Sequence, residues 1–235
     1  SRASGRTPSP PEAGSPGQRP GTCVWGASRD AALVLIPTGT YHPGVSQQAR
    51  SSAAERLLDT AARLFYARGV PNVGINEIIA RAGVARMTLY HHFPSKDALV
   101  KAVLERRQAE RDDWLAQAHD MASEPLGRML AVFDLFVEWA QSPDFRGSPL
   151  VSATFELGGQ LNAARPYAQA HAKKVVEYFR GQAEEAGLHD PAGLAVQLAM
   201  LLEGASVHVL VSGDVGSAEL ARSAAASLIA GAADD

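Results

Sequence analysis

From residue 51 onward, apolar residues recur every three or four positions, and each run is bounded by residues that start or stop helices. Leu57, Leu58, Ala61, Ala62, Leu64 and Phe65 form one face, Glu55, Arg56, Asp59 and Arg63 lie opposite, and Gly69 ends the run. Ile75, Ile78 and Ile79 make a second stripe. It meets a tight Ala82-Gly83-Val84 corner, after which Val84, Leu89 and Phe93 supply what a crossing helix needs to pack. The corner requires a left-handed residue, a conformation that glycine adopts without steric cost. Ser95 caps a long fourth helix whose middle, Glu105 to Asp113, is polar enough to be expected in solvent. Ser123 with Pro125 opens a fifth helix, in which Leu126, Met129, Leu130, Phe133, Phe136, Val137 and Ala140 keep helical spacing until Ser142-Pro143. Ser148-Pro149 starts a short helix ending at Gly158-Gly159. Further helices are predicted from Pro166 to Gly187, from Asp190-Pro191 to about Val211, and from Ser217 to Gly231. Nine helices and no strand predict an all-α fold.

Composition changes this picture at the N-terminus. Residues 1–50 hold 7 of the 14 prolines and 7 of the 21 glycines without periodic large apolar residues, so a disordered tail is expected. The predicted organisation is this tail, a three-helix DNA-binding domain over 51–97, and a helical ligand-binding and dimerisation domain over 98–235. Charge is divided in the same sense. Residues 1–50 carry five basic and two acidic side chains and residues 51–107 nine and five, whereas residues 108–235 carry eight and eighteen. A polyanion would be drawn to the first half and repelled by the second. Arg2, Arg6, Arg19, Arg29 and Arg50 make the tail either a phosphate-contacting arm or a dispensable extension. The lone Cys23 allows no intrachain disulfide, which fits a reducing cytoplasm. The most apolar run, Leu194 to Val211, contains Gln197, Glu203, Ser206 and His208, so no membrane span is expected.

The chemistry lies in the second helix of the corner, which leaves Arg86, Met87, Thr88, Tyr90, His91 and His92 pointing outward. Two short helices joined in this way are the pattern of a helix-turn-helix that reads double-stranded DNA. The first turns of a reader helix enter the major groove, which assigns base contacts to Ala85, Arg86, Met87 and Thr88. Arg86 can donate two hydrogen bonds to a guanine edge, while Thr88 offers a hydroxyl and Met87 an apolar contact to a thymine methyl. The adjacent histidines point about 100° apart and cannot form an i, i+4 metal pair, so no metal is expected. Lys96 sits in the first turn of the fourth helix, where a cation opposes the helix dipole by roughly 0.3–1 kcal/mol. A phosphate would relieve that placement.

The run from Leu57 to Leu104, in particular LLDTAARLFYARGV and IIARAGVARMTLYHHFPSKDAL, resembles the TetR family of bacterial transcription regulators. The resemblance implies that Tyr90 and His91 contact the DNA backbone and that Lys96 contacts phosphate. It also implies a homodimer joined by the last two helices, a palindromic operator, and a small-molecule ligand that shifts the fourth helix and releases DNA. The family's Ser or Thr before the second helix is replaced here by Val73-Gly74, leaving Gly74 as a weaker cap and Asn76 as the substitute backbone contact. Between reader and pairing helices, aromatic and polar residues are interspersed in the manner of a ligand cavity. Phe136, Trp139, Phe155, His171, Met200 and Glu203 are its candidate lining. Two other readings stand beside this one: a helical carrier or enzyme with an incidental helix-turn-helix, and a DNA-binding regulator with no small-molecule ligand. A phosphate-binding glycine loop, a nucleophile elbow and a paired metal motif are all missing from the sequence, so neither catalysis nor a cofactor is expected.

Overall fold

The computed structural model describes residues 52–158 and 163–234. The predicted tail, its arginines, Cys23 and the Gly159 stop lie outside the described residues. All described elements belong to one unit, Tyr41–Asp235, and they are α-helices: α1 Ala53–Arg68, α2 Ile75–Ala82, α3 Arg86–His92, α4 Lys96–Asp120, α5 Pro125–Ala140, α6 Pro149–Glu156, α7 Arg165–Glu185, α8 Pro191–Ser212 and α9 Gly216–Asp234. Among the described residues there is no strand, and the all-α expectation holds.

Local chemistry accounts for most boundaries. Ser52 and Glu55 form a reciprocal capping box at the start of α1, and Gly69 follows its end with φ +82°. Gly83 takes φ +64° and ψ +41°, with its N–H and that of Val84 both directed at the Ile79 carbonyl, so the corner is built as predicted. Ser95 and Ser148 cap α4 and α6 through their hydroxyls, and Asp190 caps α8. Three boundaries differ. Glu124, not Ser123, precedes Pro125 at the start of α5. α7 begins at Arg165, one residue before Pro166, and α9 runs from Gly216 through Gly231 to Asp234. A helical glycine costs only about 1 kcal/mol, which burial of Ala225 and Ile229, six and two residues earlier, offsets.

Two apolar clusters organise the chain. The first gathers Leu57, Phe65, Ile78, Leu89, Leu99 and Leu104 from α1 to α4, together with Leu150 and Ala153 of α6 and Ala164 before α7. The second gathers Leu115 of α4, Met129, Phe133 and Phe136 of α5, Phe179 of α7, Leu198 of α8 and Ile229 of α9. Each large side chain that leaves water here contributes roughly 1.5–3 kcal/mol. α4 feeds both clusters, and its middle separates them.

That middle is not the solvent-facing stretch the sequence suggested. Arg106 pairs with Asp59 of α1 and with Glu110, Arg107 donates to Glu110 and to the Ala62 carbonyl, and Lys174 of α7 pairs with Asp112. Arg111 stacks on Trp139 of α5 with its Cζ 4.2 Å from the ring centroid. Glu105 and Asp113 at its ends are exposed, but the charged residues between them are half-buried because the neighbouring helices supply charges and rings that replace water.

α8 has the length and hydropathy of a membrane span. Its inner face, Leu194, Leu198, Leu202 and Val209, is nevertheless packed in the second cluster between α7 and α9.

Candidate nucleic-acid interface

α3 is held by very little of itself. Leu89 alone of its seven residues is buried, completely, in the first cluster. Arg86, Met87, Tyr90 and His91 are exposed, Met87 by 79%, with Ala85 exposed as the N-cap and Thr88 half-buried. The Arg86 guanidinium lies 5.7 Å from the Tyr90 ring centroid, a cation–π contact one turn apart that limits the freedom of both side chains. His91 and His92 meet edge to face at 5.2 Å, and His92 is exposed rather than packed in the core.

The scaffold under α3 is fixed by polar contacts at its edges. Arg56 of α1 donates from Nε to the Ala82 carbonyl at the corner, at 3.4 Å. Arg68 pairs with Glu77 of α2 at 2.7 Å and also reaches the Asn72 carbonyl, while Asn72 bonds back to Arg68. Glu77 is shared with Arg81, so the acidic side chain of α2 is neutralised next to the reader.

Two helix starts at this face, those of α2 and α3, lack a side-chain cap, as do those of α5 and α7 elsewhere. α1, α4, α6 and α8 begin with a side-chain cap, whereas α2 begins at Gly74 and α3 at Ala85 with no side-chain cap bond. Free N–H groups at a helix start, together with the dipole, suit an anion. Asn76 is exposed on the first turn of α2. Lys96, half-buried at the start of α4, donates from Nζ to the Val70 carbonyl at 2.7 Å, a partner the sequence did not suggest. That bond uses one of three ammonium N–H groups and leaves two for a phosphate.

The candidate ligand residues are dispersed. Phe136 and Trp139 join an aromatic set with Phe145, with ring centroids 4.7 to 6.4 Å apart. His171 lies near Arg111, whose guanidinium covers Trp139. Burial first, then the neighbouring Arg111, lowers the His171 imidazole to about 4, with Asp112 opposing and Lys174 adding a little. Its Nδ1 and Oδ1 of Asp112 are enclosed without a hydrogen-bond partner among the described residues.

The other three lie apart from them on exposed faces. Phe155 is 81% exposed on α6, and Met200 and Glu203 lie on the outer face of α8. Helical spacing placed them correctly on helices, but the face that looks outward is decided by tertiary packing. A small cavity of about 30 Å³, room for about one water molecule, is lined instead by Phe65 and Tyr66 of α1, Val103 and Arg107 of α4, and Ser152 and Glu156 of α6.

Sequence and structure comparisons agree with this geometry. The family described as bacterial regulatory proteins of the tetR family matches residues 57–103, the span of α1 to the first turns of α4. An uncharacterised helix-turn-helix transcriptional regulator of Mycobacterium tuberculosis is 44% identical over 116 residues, 46% of this chain and 54% of that protein. The transcriptional repressor KstR2 of Mycolicibacterium smegmatis is 36% identical over 89 residues, 35% of this chain and 40% of its own length. The match thus spans about half or less of these curated relatives. A solved TetR-type transcriptional regulator from Streptomyces avermitilis is alike through nearly its whole length, with 33% identity over 74% of this chain and 98% of that one and a TM-score of 0.62. With the helix-turn-helix geometry, the matched reader segment and this near full-length likeness in hand, the chain belongs to the TetR family of bacterial transcriptional regulators.

Proposed function

We propose that this protein is a cytoplasmic, homodimeric repressor that binds a palindromic operator and is released from it by a small molecule. The observation that carries the DNA half is α3 itself, a helix anchored by Leu89 that offers Arg86, Met87, Tyr90 and His91 to a groove. Residues 51–97 are the reading domain and residues 98–235 the pairing and sensing domain. Arg86 reads a guanine edge, Met87 and Thr88 approach thymine methyl groups, and Ala85 lets the helix come close. Tyr90, His91, Asn76 and Lys96 hold phosphates on either side.

The homodimer reading rests on the outer faces of α8 and α9. Val196, Met200, Val207, Leu210 and Val211 on α8 and Leu220 and Leu228 on α9 are all exposed, and they follow helical spacing over more than four turns. An exposed apolar stripe of this length, interrupted by Glu203, seeks a partner, and a two-fold copy supplies the same stripe. Exposed Gly204 and Ala224 allow close approach. Met200 and Glu203 are therefore assigned to pairing and not to the ligand. The repressor sense follows the name of KstR2, and the ligand half rests on the enclosed His171 and Asp112 beside Arg111 and Trp139.

The test is retardation of a duplex selected by the protein from a random pool, with the salt dependence of its Kd. The expected outcome is a palindromic consensus and a steep loss of affinity as salt rises. Absence of any retardation at low salt would refute the DNA reading. A thermal-shift screen of small molecules, repeated with the selected duplex, tests the ligand half. Linkage requires any releasing ligand to bind less tightly when DNA is present.

A further inference from the structure

We propose that Glu156 of α6 is a positioning residue for DNA binding, acting through the Gly69–Val70 turn on the ammonium of Lys96. The inference rests on the DNA-binding reading above. α6 follows α5 in the chain, yet it is seated on the reading end of the molecule: Leu150 and Ala153 are buried in the first cluster with α1 and α4. Both ends of α6 are tied to α1. At its entrance, the Tyr66 hydroxyl donates to the Gly147 carbonyl at 3.0 Å and accepts from the Arg146 N–H at 2.7 Å. At its last residue, Glu156 Oε2 accepts the Val70 N–H at 2.8 Å.

The second tie is built into the backbone. Gly69 has φ +82°, and a Cβ added there would lie 3.2 Å from Cδ and from both carboxylate oxygens of Glu156. A side chain at 69 would therefore meet both backbone strain and the carboxylate. Residue 70 is then held on both sides, because its carbonyl accepts from Lys96 Nζ at 2.7 Å. A lysine with a fixed ammonium loses less rotamer freedom when a phosphate arrives than one swinging on four methylenes. Two hydrogen bonds thus join α6 to a phosphate-facing cation, a route that bypasses the 25 residues of α4. If α6 shifts far enough to break the Glu156–Val70 bond, Val70 loses its grip on Lys96.

The experiment is a double-mutant cycle on the full chain, with Kd and its salt slope measured for a duplex selected by the wild-type protein. Glu156→Ala is expected to weaken binding by about 3- to 10-fold, and Lys96→Met to weaken it and reduce the salt slope by about one unit. In the Lys96→Met background, Glu156→Ala should cost nothing further. Glu156→Gln, whose amide oxygen can still accept from Val70, should bind like wild type. A merely structural glutamate would give the same loss with and without Lys96, and that additivity would overturn the proposal. So would unchanged affinity in Glu156→Ala. If Glu156→Ala melts below the assay temperature, Glu156→Asp, one methylene shorter, enters the same cycle with the same two outcomes. Failure of the wild-type protein to bind any duplex overturns the DNA reading and this inference with it. Binding with an additive cycle overturns this inference alone.

Discussion

The proposed reading end and the proposed pairing end of this molecule are built on similarly buried cores but leave different surfaces exposed. Beneath α3 the core is closed by Leu89, Ile78 and Leu57, and what remains outside is Arg86, Tyr90 and His91 with a single exposed methionine. Beneath α8 the core is closed by Leu198, Leu202 and Val209, and what remains outside is mainly Val196, Met200, Val207 and Val211, with Gln197, Glu203 and His208 among them. The first surface keeps its hydration until a charged, hydrated partner replaces it. The second gains mainly when water leaves its apolar residues, while Glu203 has to keep water or find a partner. The difference shows that core quality says little about function, whereas the chemistry of the uncovered face says which class of partner can cover it.

The largest effect is expected from making the second face resemble the first. Val207→Asp adds a second carboxylate to the α8 stripe, one turn from Glu203, and a two-fold interface would crowd both against their copies without a cation to pair them. A loss of several kcal/mol in dimer stability is expected. Sedimentation equilibrium should show monomer at concentrations where wild type is dimer, with α-helical circular dichroism retained. An unchanged dimer would remove α8 from the interface and with it the contrast between the two faces.

Acid probes the seam between the two ends. Burial and Arg111 lower His171 to about 4, while an unfolded histidine titrates near 6.5. Between those values the unfolded chain binds a proton that the folded chain refuses, so stability rises with pH through this window. His171 therefore contributes no penalty above about pH 6.5, and its cost grows as pH falls towards 4, to roughly 3 kcal/mol. Urea unfolding at pH 7 and pH 4.5 should reveal the drop, and His171→Leu should flatten this part of it. A wild-type midpoint with the same pH dependence as His171→Leu would mean that the imidazole is protonated in place.

Arg86→Ala separates recognition from attraction at the reading end. It is expected to remove about 1–3 kcal/mol of discrimination between the selected duplex and a scrambled one, with little change in the salt slope. Equal losses on both duplexes would reduce Arg86 to a phosphate contact.

How much of this was legible beforehand depended on the range of the interactions involved. The corner at Gly83, the caps at Ser95, Ser148 and Asp190, and the outward set on α3 follow from residues within one or two turns of each other, and each is where its pattern put it except Thr88, which is half-buried. The half-buried middle of α4 was not legible, because Asp59, Lys174 and Trp139 lie far away in sequence and nothing local reveals that they meet it. Which faces of α6 and α8 look inward was hidden for the same reason. Phe155 and Met200 have the apolar character of a cavity wall, but which side of α6 or α8 faces inward is set by the neighbours of those helices. The Lys96 to Val70 bond was equally hidden, although Gly69 was a signal, since a glycine after the last turn leaves space that Glu156 fills.

The smallest expected effect tests whether the uncapped start of α2 belongs to the reading surface. Gly74 has φ −88° and ψ 151°, which any residue can adopt, and a Cβ there would meet nothing within 4 Å. Gly74→Ser therefore fits without strain and supplies a hydroxyl that can accept from the first-turn N–H groups. A glycine cap is only slightly inferior to serine, so the gain in stability should be a few tenths of a kcal/mol, visible as a small rise in Tm. If the start of α2 faces a phosphate, the hydroxyl can also donate to it, and affinity at fixed salt should rise together with stability. If it does not, Tm will rise while Kd stays where it was, and the reading surface will end at α3 and Lys96.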